Sequence, residues 1–258
     1  MTTLSFVPAP GGRPLHRMVA THAAMETRLL LRNGEQLLLA IVIPLLLLVG
    51  GAESGNVVDL GTGRRIDVLT PGVLALAVMS TAFTSLAIAT AFERRYGVLK
   101  RLGASPLPRA GLLLGKVGSL LTVIGLQVVV IVAIGLALGW SPAGGVPAAV
   151  SSVLLVVLGT AAFAALGLLM AGTLRAEATL AAANLVYVVL LVAGAVVVPV
   201  SSYPSAMRDA VTLLPSGALA QGLREVLSGA GLAGTHLVVL AAWALVASLL
   251  TVRTFRWE

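Results

Sequence analysis

The sequence predicts an all-α membrane protein with six transmembrane helices, on the strength of three observations. The 258 residues are 58% apolar and only 10% charged, whereas soluble domains are about half apolar and about a quarter charged. The apolar residues form continuous runs, which excludes the alternating pattern of barrel strands. The runs approach or exceed the roughly 20 residues that a helix needs to cross a bilayer. We therefore expect one helical membrane domain over residues 1–258.

An amphipathic stretch precedes the first apolar run. Residues 13–32 can be drawn as a helix on which Arg17, Arg28 and Arg32 share one arc. This pattern is typical of a helix that lies in the membrane interface, although Glu26 falls within the apolar arc. An irregular basic tail is the alternative. No small-residue cleavage site follows a short apolar core, so we expect no signal peptide.

Six apolar runs are predicted to cross the membrane. The first is short and can be extended back through Glu35. We place the six near residues 37–52, 72–92, 111–139, 146–174, 178–200 and 236–252. We expect little regular structure in the polar segment 53–70 between the first two spans.

The cations indicate which ends of the spans are cytoplasmic. The N-terminal segment, the connections after the second and fourth spans and the C terminus carry Arg13, Arg17, Arg28, Arg32, Arg94, Arg95, Lys100, Arg101, Arg109, Lys116, Arg175, Arg253 and Arg256. The opposite connections carry only Arg64, Arg65, Arg208 and Arg224. By the positive-inside rule both termini are cytoplasmic. The preference for arginine over lysine, with abundant Ala, Val, Leu and Gly, favours the inner membrane of a bacterium with a GC-rich genome.

The segment 201–235 between the last two spans is too long for a simple turn. Apolar residues at helical spacing occur on both sides of Pro215. They predict two short helices that lie against the outer membrane surface or dip into it. A packed cap that only closes the bundle is the alternative.

Several kinds of chemistry are excluded. The chain has no cysteine, which removes thiol catalysis and thiolate metal sites. Its three histidines are scattered, so we expect no enzyme and no metal site. Nucleic acid is not an expected partner, because the net charge of +7 is distributed by membrane topology. The stretch GLLLGKVG at 111–118 lacks the spacing and the Ser or Thr of a phosphate-binding loop, so we interpret Gly111 and Gly115 as a helix-packing face.

Few polar side chains fall within the predicted spans. Gln127, Asn184 and Tyr187 are the most notable, and we regard them as possible lining of a substrate pathway or as buried hydrogen-bonding groups. Thr122 and Thr160 can bond to their own helix backbones. Ion-driven carriers usually place ionisable groups at membrane depth, and none stands out here. Energy for uphill transport would therefore come from a partner.

The stretch FERRYGVLKRLGASPLPR at 92–109 is a charged island between two apolar runs. Drawn as one helix, its charged residues share an arc, and its apolar residues lie opposite. The charged residues are Glu93, Arg94, Lys100 and Arg101, with Arg95 outside the arc, and the apolar ones are Val98, Leu99 and Leu102. We expect Gly103 to end this helix in the left-handed conformation. Pro106 and Pro108 then prevent its continuation into the next span.

ERRYGVLKRLGASP, at 93–106, resembles the cytoplasmic motif of ABC-2 type transporter permeases, the membrane subunits of ATP-driven exporters. In that motif an acidic–basic pair, a glycine, a hydrophobic residue and Leu precede a basic residue with Leu, and then Ser or Thr with Pro. Tyr96, Val98 and Gly103 depart from the common pattern. LLPSGALAQGLREVLSG, at 213–229, is similar to the outer segment of the same family.

This resemblance implies a coupling helix that docks into a separate ATPase subunit. The implied docking residues are Glu93, Arg94, Arg95, Gly97, Leu99, Lys100, Arg101 and Leu102. An outer gate segment would include Pro215, Leu223 and Arg224. ATP and magnesium would be bound by the ATPase subunit and no cofactor by this chain, and a second permease, identical or paralogous, would complete the complex within the lipid.

Two other functions fit the same sequence. A self-sufficient secondary carrier or channel would move substrate without ATP. A membrane scaffold would bind a cytoplasmic complex and transport nothing. Family resemblance favours export. The scarcity of internal charge favours lipids, glycolipids or amphipathic drugs over ions as substrates.

Overall fold

The computed structural model describes residues 14–32, 34–53, 64–104, 107–231 and 233–255. These residues form helices and connecting turns, and no β-strand occurs among them. The prediction of an all-α fold is confirmed. Continuous apolar helices satisfy all their backbone groups within one segment, as the interior of a bilayer requires.

Eleven α-helices are distinguished in the described ranges. They are α1 (Leu15–Arg32), α2 (Gly34–Glu53), α3 (Arg65–Met79), α4 (Leu86–Arg95), α5 (Val98–Gly103), α6 (Arg109–Ala137), α7 (Gly145–Thr173), α8 (Ala176–Ala193), α9 (Ser205–Leu213), α10 (Pro215–Leu227) and α11 (Gly234–Thr254). A π-helical segment, Ser80–Ser85, joins α3 to α4, and a 3-10 turn, Val200–Ser202, precedes α9.

Five helical segments of the described chain are long and apolar enough to cross a membrane. They are Arg65–Arg95, Ala110–Ala137, Gly145–Thr173, Ala176–Ala193 and Gly234–Thr254. Within α2, Ala40–Glu53 forms a shorter apolar helix, so the sixth span stays a prediction. The N-terminal helix predicted at 13–32 is present as α1.

Two predicted span boundaries were wrong. The second span begins at Arg65, not near residue 72, so part of the predicted irregular segment 53–70 is helical. Asp67 lies in its first turn, where an acidic side chain favours the helix dipole. The fifth span ends at Ala193, not near residue 200, because the chain turns at Ala195, which has a positive φ of 51°.

The α3 helix lies at the centre of the bundle. From Leu69 to Met79 each of its residues is buried. The helices α2, α6, α7 and α10 pack around it. Burial of this helix on every side explains why its sequence shows a continuous apolar run rather than an amphipathic stripe.

Contacts between helix termini define two ends of the bundle. At the first, which we call the basic end, the guanidinium of Arg94 at the end of α4 donates a hydrogen bond to the carbonyl of Leu174, which follows α7. At the opposite end, which we call the α10 end, the backbone amide of Ala143 before α7 donates to the carbonyl of Leu227 in α10, at 2.8 Å. The long helices therefore run alternately between the two ends.

The segment predicted as two surface helices does form α9 and α10. The α10 helix is not on the surface, however: most of its residues are buried, including Leu219 and Leu223, which are fully inaccessible. It packs against α3, α7 and α11. The prediction was of two helices that lie against the outer membrane surface or dip into it, with a packed cap on the bundle as the alternative. For α10, burial against three other helices argues against a position flat on the surface and agrees with the packed cap.

Candidate functional site

The connection between α4 and α5 is a sharp corner at the basic end. Tyr96 ends α4, and Gly97 has a left-handed backbone with φ of 71°. The amide of Gly97 donates to the carbonyl of Arg94 at 3.0 Å, and α5 starts at Val98. Left-handed backbone is accessible to glycine at little cost. The prediction that Gly103 takes this conformation was wrong: Gly103 is the last helical residue of α5, and the left-handed residue is Gly97.

The short α5 helix has one side against the bundle and one side exposed. Leu99 is buried and Leu102 half-buried, while Lys100 and Arg101 are exposed. Pro108 precedes α6 as its N-cap residue, with φ of −65°, and Pro106 lies outside the described residues. The corner thus presents two cations on a helix of six residues whose apolar side is held by the bundle.

Arg94 and Arg95 connect this corner to other spans. Arg94 bonds to the Leu174 carbonyl at the end of α7. Arg95 forms an ion pair with Glu177 in the first turn of α8. The pair is exposed, and exposed pairs contribute little stability. The pair links the C-terminal end of α4 to the N-terminal end of α8 next to the corner.

Glu93 does not lie on one helix face with Lys100 and Arg101, the cations of its predicted charged arc. Its two carboxylate oxygens lie 2.7 and 2.8 Å from Nζ of Lys116 on α6. Because the chain turns at Gly97, α4 and α5 are two helices, and the single charged arc predicted over 92–103 does not exist. Glu93 is therefore paired inside the bundle, whereas Lys100 and Arg101 are exposed on α5.

Lys116 is the centre of a buried polar cluster. It is 4% exposed and also contacts Glu26 of α1, with Nζ at 3.1 Å from Oε1. His22, one turn before Glu26, has Nε2 at 3.6 Å from the same oxygen. Burial lowers the pKa of His22, with the Glu26 carboxylate opposing that effect. We call His22, Glu26, Glu93 and Lys116 the basic-end cluster.

Close packing of α1 on α6 brings this cluster together. A Cβ atom at Gly115 would lie 2.4 Å from the His22 ring, so only glycine permits this approach. A Cβ atom at Gly111 would lie 2.6 Å from the Leu107 side chain and 3.4 Å from Val19 of α1. The interpretation of Gly111 and Gly115 as a packing face is confirmed, and a phosphate-binding loop is incompatible with their position inside α6.

The sequence interpretation missed the basic-end cluster. Two signals were available: Glu26 interrupts the apolar arc of α1, and Lys116 lies inside an apolar span. Each was assigned separately, Glu26 to imperfect amphipathicity and Lys116 to topology. The statement that no ionisable group stands out within a span was wrong, since Lys116 lies within the spanning segment Ala110–Ala137.

The three residues proposed to line a pathway have different surroundings. Gln127 is buried; its Oε1 accepts a hydrogen bond from Thr81 at 3.0 Å and its Nε2 donates to the Ala40 carbonyl at 2.9 Å. It therefore links α2, the π-helical segment and α6. Asn184 is exposed on α8 and donates to its own helix at Leu180. Tyr187 is half-buried against the core.

Thr122 and Thr160 donate to carbonyls four residues earlier, as predicted.

At the α10 end, Arg224 is 8% exposed and has no acidic partner among the described residues. Its guanidinium donates to the carbonyls of Ala195 and Val196, each at 2.6 Å, and to Val68 at 3.3 Å. Burial lowers its pKa to about 10, so the side chain keeps its charge at neutral pH.

Two other predicted gate residues frame Arg224 within α10. Pro215 is the first residue of α10, a position that needs no backbone donor. Leu223 is fully buried next to Arg224. Of the three proposed gate residues, Arg224 is the one whose hydrogen bonds hold α10 against the turn after α8 and the start of α3.

Within the ranges that the structure describes, no group of three or more His, Asp or Glu residues is suited to a metal ion. A family model described as ABC-2 family transporter protein matches residues 36–253. The match includes nearly all of α2 to α11 and leaves α1 outside. No curated protein matches the chain.

Proposed function

The chain belongs to the ABC-2 family of transporter proteins, and on that basis we propose that it is the transmembrane permease subunit of an ATP-driven exporter. Members of this family are membrane transport components, so the chain itself is not expected to hydrolyse ATP. ATP and magnesium would be held by separate ATPase subunits. We propose six spans, with α2 as the first, and a bacterial inner membrane as the location.

The observation that carries the coupling proposal is the α4–α5 corner. Lys100 and Arg101 are exposed on α5, while Arg94 and Arg95 at its base contact the ends of α7 and α8. Movement of a protein bound to α5 would therefore be transmitted to the ends of α4, α7 and α8 together. Guanidinium groups suit docking into an acidic groove, because they form bidentate pairs with carboxylates. We assign Lys100 and Arg101 to the ATPase contact, and Glu93, Arg94, Arg95, Gly97, Leu99 and Leu102 to transmission into the bundle.

The test is charge reversal at the exposed cations. We expect Lys100→Glu with Arg101→Glu to leave membrane insertion intact and to reduce transport-linked ATP hydrolysis in reconstituted vesicles by about tenfold or more, as for loss of charge-assisted contacts. Arg253→Glu is the matched control, because Arg253 is also exposed in the last turn of a helix. Equal hydrolysis in the double variant and the control would refute the assignment.

The proposed orientation places the basic end in the cytoplasm, as the distribution of cations supports. The chain has no cysteine, so single cysteines can be introduced without a background. A cysteine at Arg253 should react with a membrane-impermeant maleimide only after cells are opened. A cysteine at Asp209 of α9 should react in intact spheroplasts. The reverse pattern would overturn the orientation.

A second permease subunit is supported by the exposed side of α8. Leu185, Val188 and Val192 are more than half exposed there, and Asn184 is exposed among them. The carboxamide of Asn184 donates one hydrogen bond, to the Leu180 carbonyl of its own helix. Polar atoms that face lipid without a partner are costly, and a second permease against α8 would supply partners for the rest of this side chain. The second permease subunit is either identical to this chain or a paralogue of it.

The alternatives differ in measurable ways. A secondary carrier or channel would move substrate in liposomes that contain this chain alone and no ATP. A scaffold would bind an ATPase without substrate-stimulated hydrolysis. We propose lipids or amphipathic drugs as the substrate class and export as the direction, and vesicle flux that requires both ATP and the ATPase would support them.

A further inference from the structure

A crevice of about 340 Å³ separates α6 from α7 near the α10 end. On α6 it is lined by Val128, Val132 and Leu136, whose spacing places them on one side of the helix. The two helices are consecutive in the chain, yet each packs mainly against another helix, α6 against α1 and α7 against α11. A gap is therefore left between them.

The walls of the crevice are apolar. Small residues, Ala148, Ala149 and Ser152, form much of the α7 wall, and the hydroxyl oxygen of Ser152 is inaccessible. The back wall consists of Leu74 of α3 and Leu223 of α10, both buried. The surface that an occupant would touch is therefore almost entirely hydrocarbon. Apolar cavities in proteins exclude water and admit apolar molecules.

The crevice is open to the side of the bundle. Leu136 of α6 and Val153 of α7 line it and are 50% and 61% exposed. Both belong to helices long and apolar enough to cross a membrane, so their exposed surfaces face lipid rather than water. An acyl chain can therefore enter between α6 and α7 without crossing a polar surface.

The length of the crevice matches one leaflet of a bilayer. Its lining on α7 extends from Gly145 to Val156, which corresponds to about 16 Å along a helix axis. Half of the hydrocarbon core of a bilayer is about 15 Å. Trp140 lines the end next to the turn between α6 and α7 and is buried, and tryptophan is enriched at the depth of lipid headgroups. The crevice thus runs from the membrane interface at the α10 end towards the bilayer centre.

We propose that this crevice holds one acyl chain of a membrane phospholipid, inserted between α6 and α7 from the leaflet at the α10 end. The chain fills the gap and supplies the van der Waals contacts that the lining would otherwise lack. A second permease is a poorer occupant, because none of the described lining residues belongs to α8, the side assigned to that subunit. The site does not depend on ATP or on transport.

The charged groups that contact the turn between α6 and α7 balance each other. Arg64 donates a hydrogen bond to the carbonyl of Gly139, and Oδ1 of Asp67 lies 3.5 Å from the amide nitrogen of Ser141. One cation and one carboxylate leave no net attraction for an anionic headgroup. We therefore expect the site to recognise the acyl chain and to bind phosphatidylcholine and phosphatidylglycerol equally.

The test uses Trp140 as a fluorescent reporter. Trp243→Phe with Trp257→Phe leaves it as the single tryptophan of the chain. The full chain is placed, without an ATPase, in nanodiscs of ordinary phosphatidylcholine or of phosphatidylcholine brominated along its acyl chains, because bromine quenches tryptophan fluorescence only at short range. We expect strong quenching by the brominated chains, equal quenching by brominated phosphatidylglycerol, and little quenching by acrylamide added to the water.

Variants that fill the crevice distinguish an inserted chain from lipid around the bundle. Ala149→Phe should remove most of the quenching by brominated phosphatidylcholine. Val150→Phe is the matched control, because Val150 is the next residue, is exposed and is not among the described lining residues. Val153→Phe, at the opening of the crevice, is a second filling variant should Ala149→Phe fail to give a single gel-filtration peak.

Four results would overturn the proposal. Absence of quenching by brominated chains would mean that protein, from this chain or a second subunit, closes the crevice. Equal quenching in Ala149→Phe and Val150→Phe would indicate contact with surrounding lipid only. Strong quenching by acrylamide would indicate a water-filled crevice, and quenching by only one of the two brominated lipids would show that the headgroup is recognised instead of the chain. Because no ATPase is present, none of these results bears on the coupling proposal.

Discussion

Removal of Arg224 is expected to destabilise the bundle substantially. The guanidinium lies between α10, α3 and the turn after α8, and it donates two hydrogen bonds of 2.6 Å to the adjacent carbonyls of Ala195 and Val196. Both carbonyls belong to a turn in which Ala195 has a positive φ, a conformation that costs about 1–3 kcal/mol for a non-glycine residue. The fork geometry of arginine matches this pair, and no other side chain supplies two donors at that spacing with a positive charge.

The magnitude follows from those contacts. A hydrogen bond from a charged donor contributes roughly 1.5–3 kcal/mol, so two give about 3–6 kcal/mol. The third, to Val68 at 3.3 Å, exceeds the usual length and adds little. Replacement also removes the desolvation cost of the guanidinium, so we expect about 3 kcal/mol for Arg224→Gln. That free energy corresponds to about a hundredfold change in the unfolding equilibrium.

The assay is reversible unfolding in mixed micelles of dodecyl maltoside and SDS, followed by helical circular dichroism. Arg208→Gln is the matched control: Arg208 also donates to two carbonyls, those of Tyr203 and Ser201, but is exposed, and surface changes are usually within about 0.5 kcal/mol. Arg224→Lys should recover part of the lost stability, because the lysine ammonium keeps the positive charge but lacks the two forked donors of a guanidinium. Equal unfolding curves for Arg224→Gln and Arg208→Gln would show that the buried guanidinium is not a structural clamp.

Two further predictions concern close packing and protonation. Gly72→Ala would place Cβ 2.2 Å from the Val196 carbonyl oxygen, so we expect a large loss of folded protein on gel filtration. Gly125→Ala is the control: its Cβ would have no atom within 4 Å, and the change should stabilise the helix by about 0.5–1 kcal/mol. Comparable yields of the two variants would contradict the close packing at Gly72. Because burial lowers the pKa of His22 below 6.5, the unfolded chain binds the proton more readily, and stability should fall as the pH decreases below about 6.5. His22→Gln should reduce that dependence, and an unchanged pH profile would exclude His22 as its source.

The existence of the helices was predictable because their sequence signals are local. Apolar runs, the Pro215 helix start and the basic N-terminal helix follow from length, hydropathy and backbone restrictions. The helix boundaries at Arg65 and Ala193 were not predictable. The first turns of α3 are stabilised by burial in the bundle, and α8 ends at a turn that is hydrogen-bonded to Arg224 of α10. Local composition contains neither contact.

The candidate site shows the same division. Exposure of Lys100 and Arg101 and burial of Leu99 follow from helical periodicity. The inward position of Glu93 does not, because the turn at Gly97 separates it from α5 and the partner Lys116 lies on another span. Gln127 likewise reads as an isolated polar residue in sequence and becomes a link between three helices only once α2 and the π-helical segment lie beside α6.

The sequence by itself determined the environment, the helical class and the asymmetry of charge between the two ends of the bundle, because hydropathy and backbone satisfaction act within each segment. Tertiary structure decided which charges face outward and which meet inside. Electrostatic partners such as Glu26 and Lys116 are separated widely along the chain, and only close packing of α1 on α6 brings them within bonding distance.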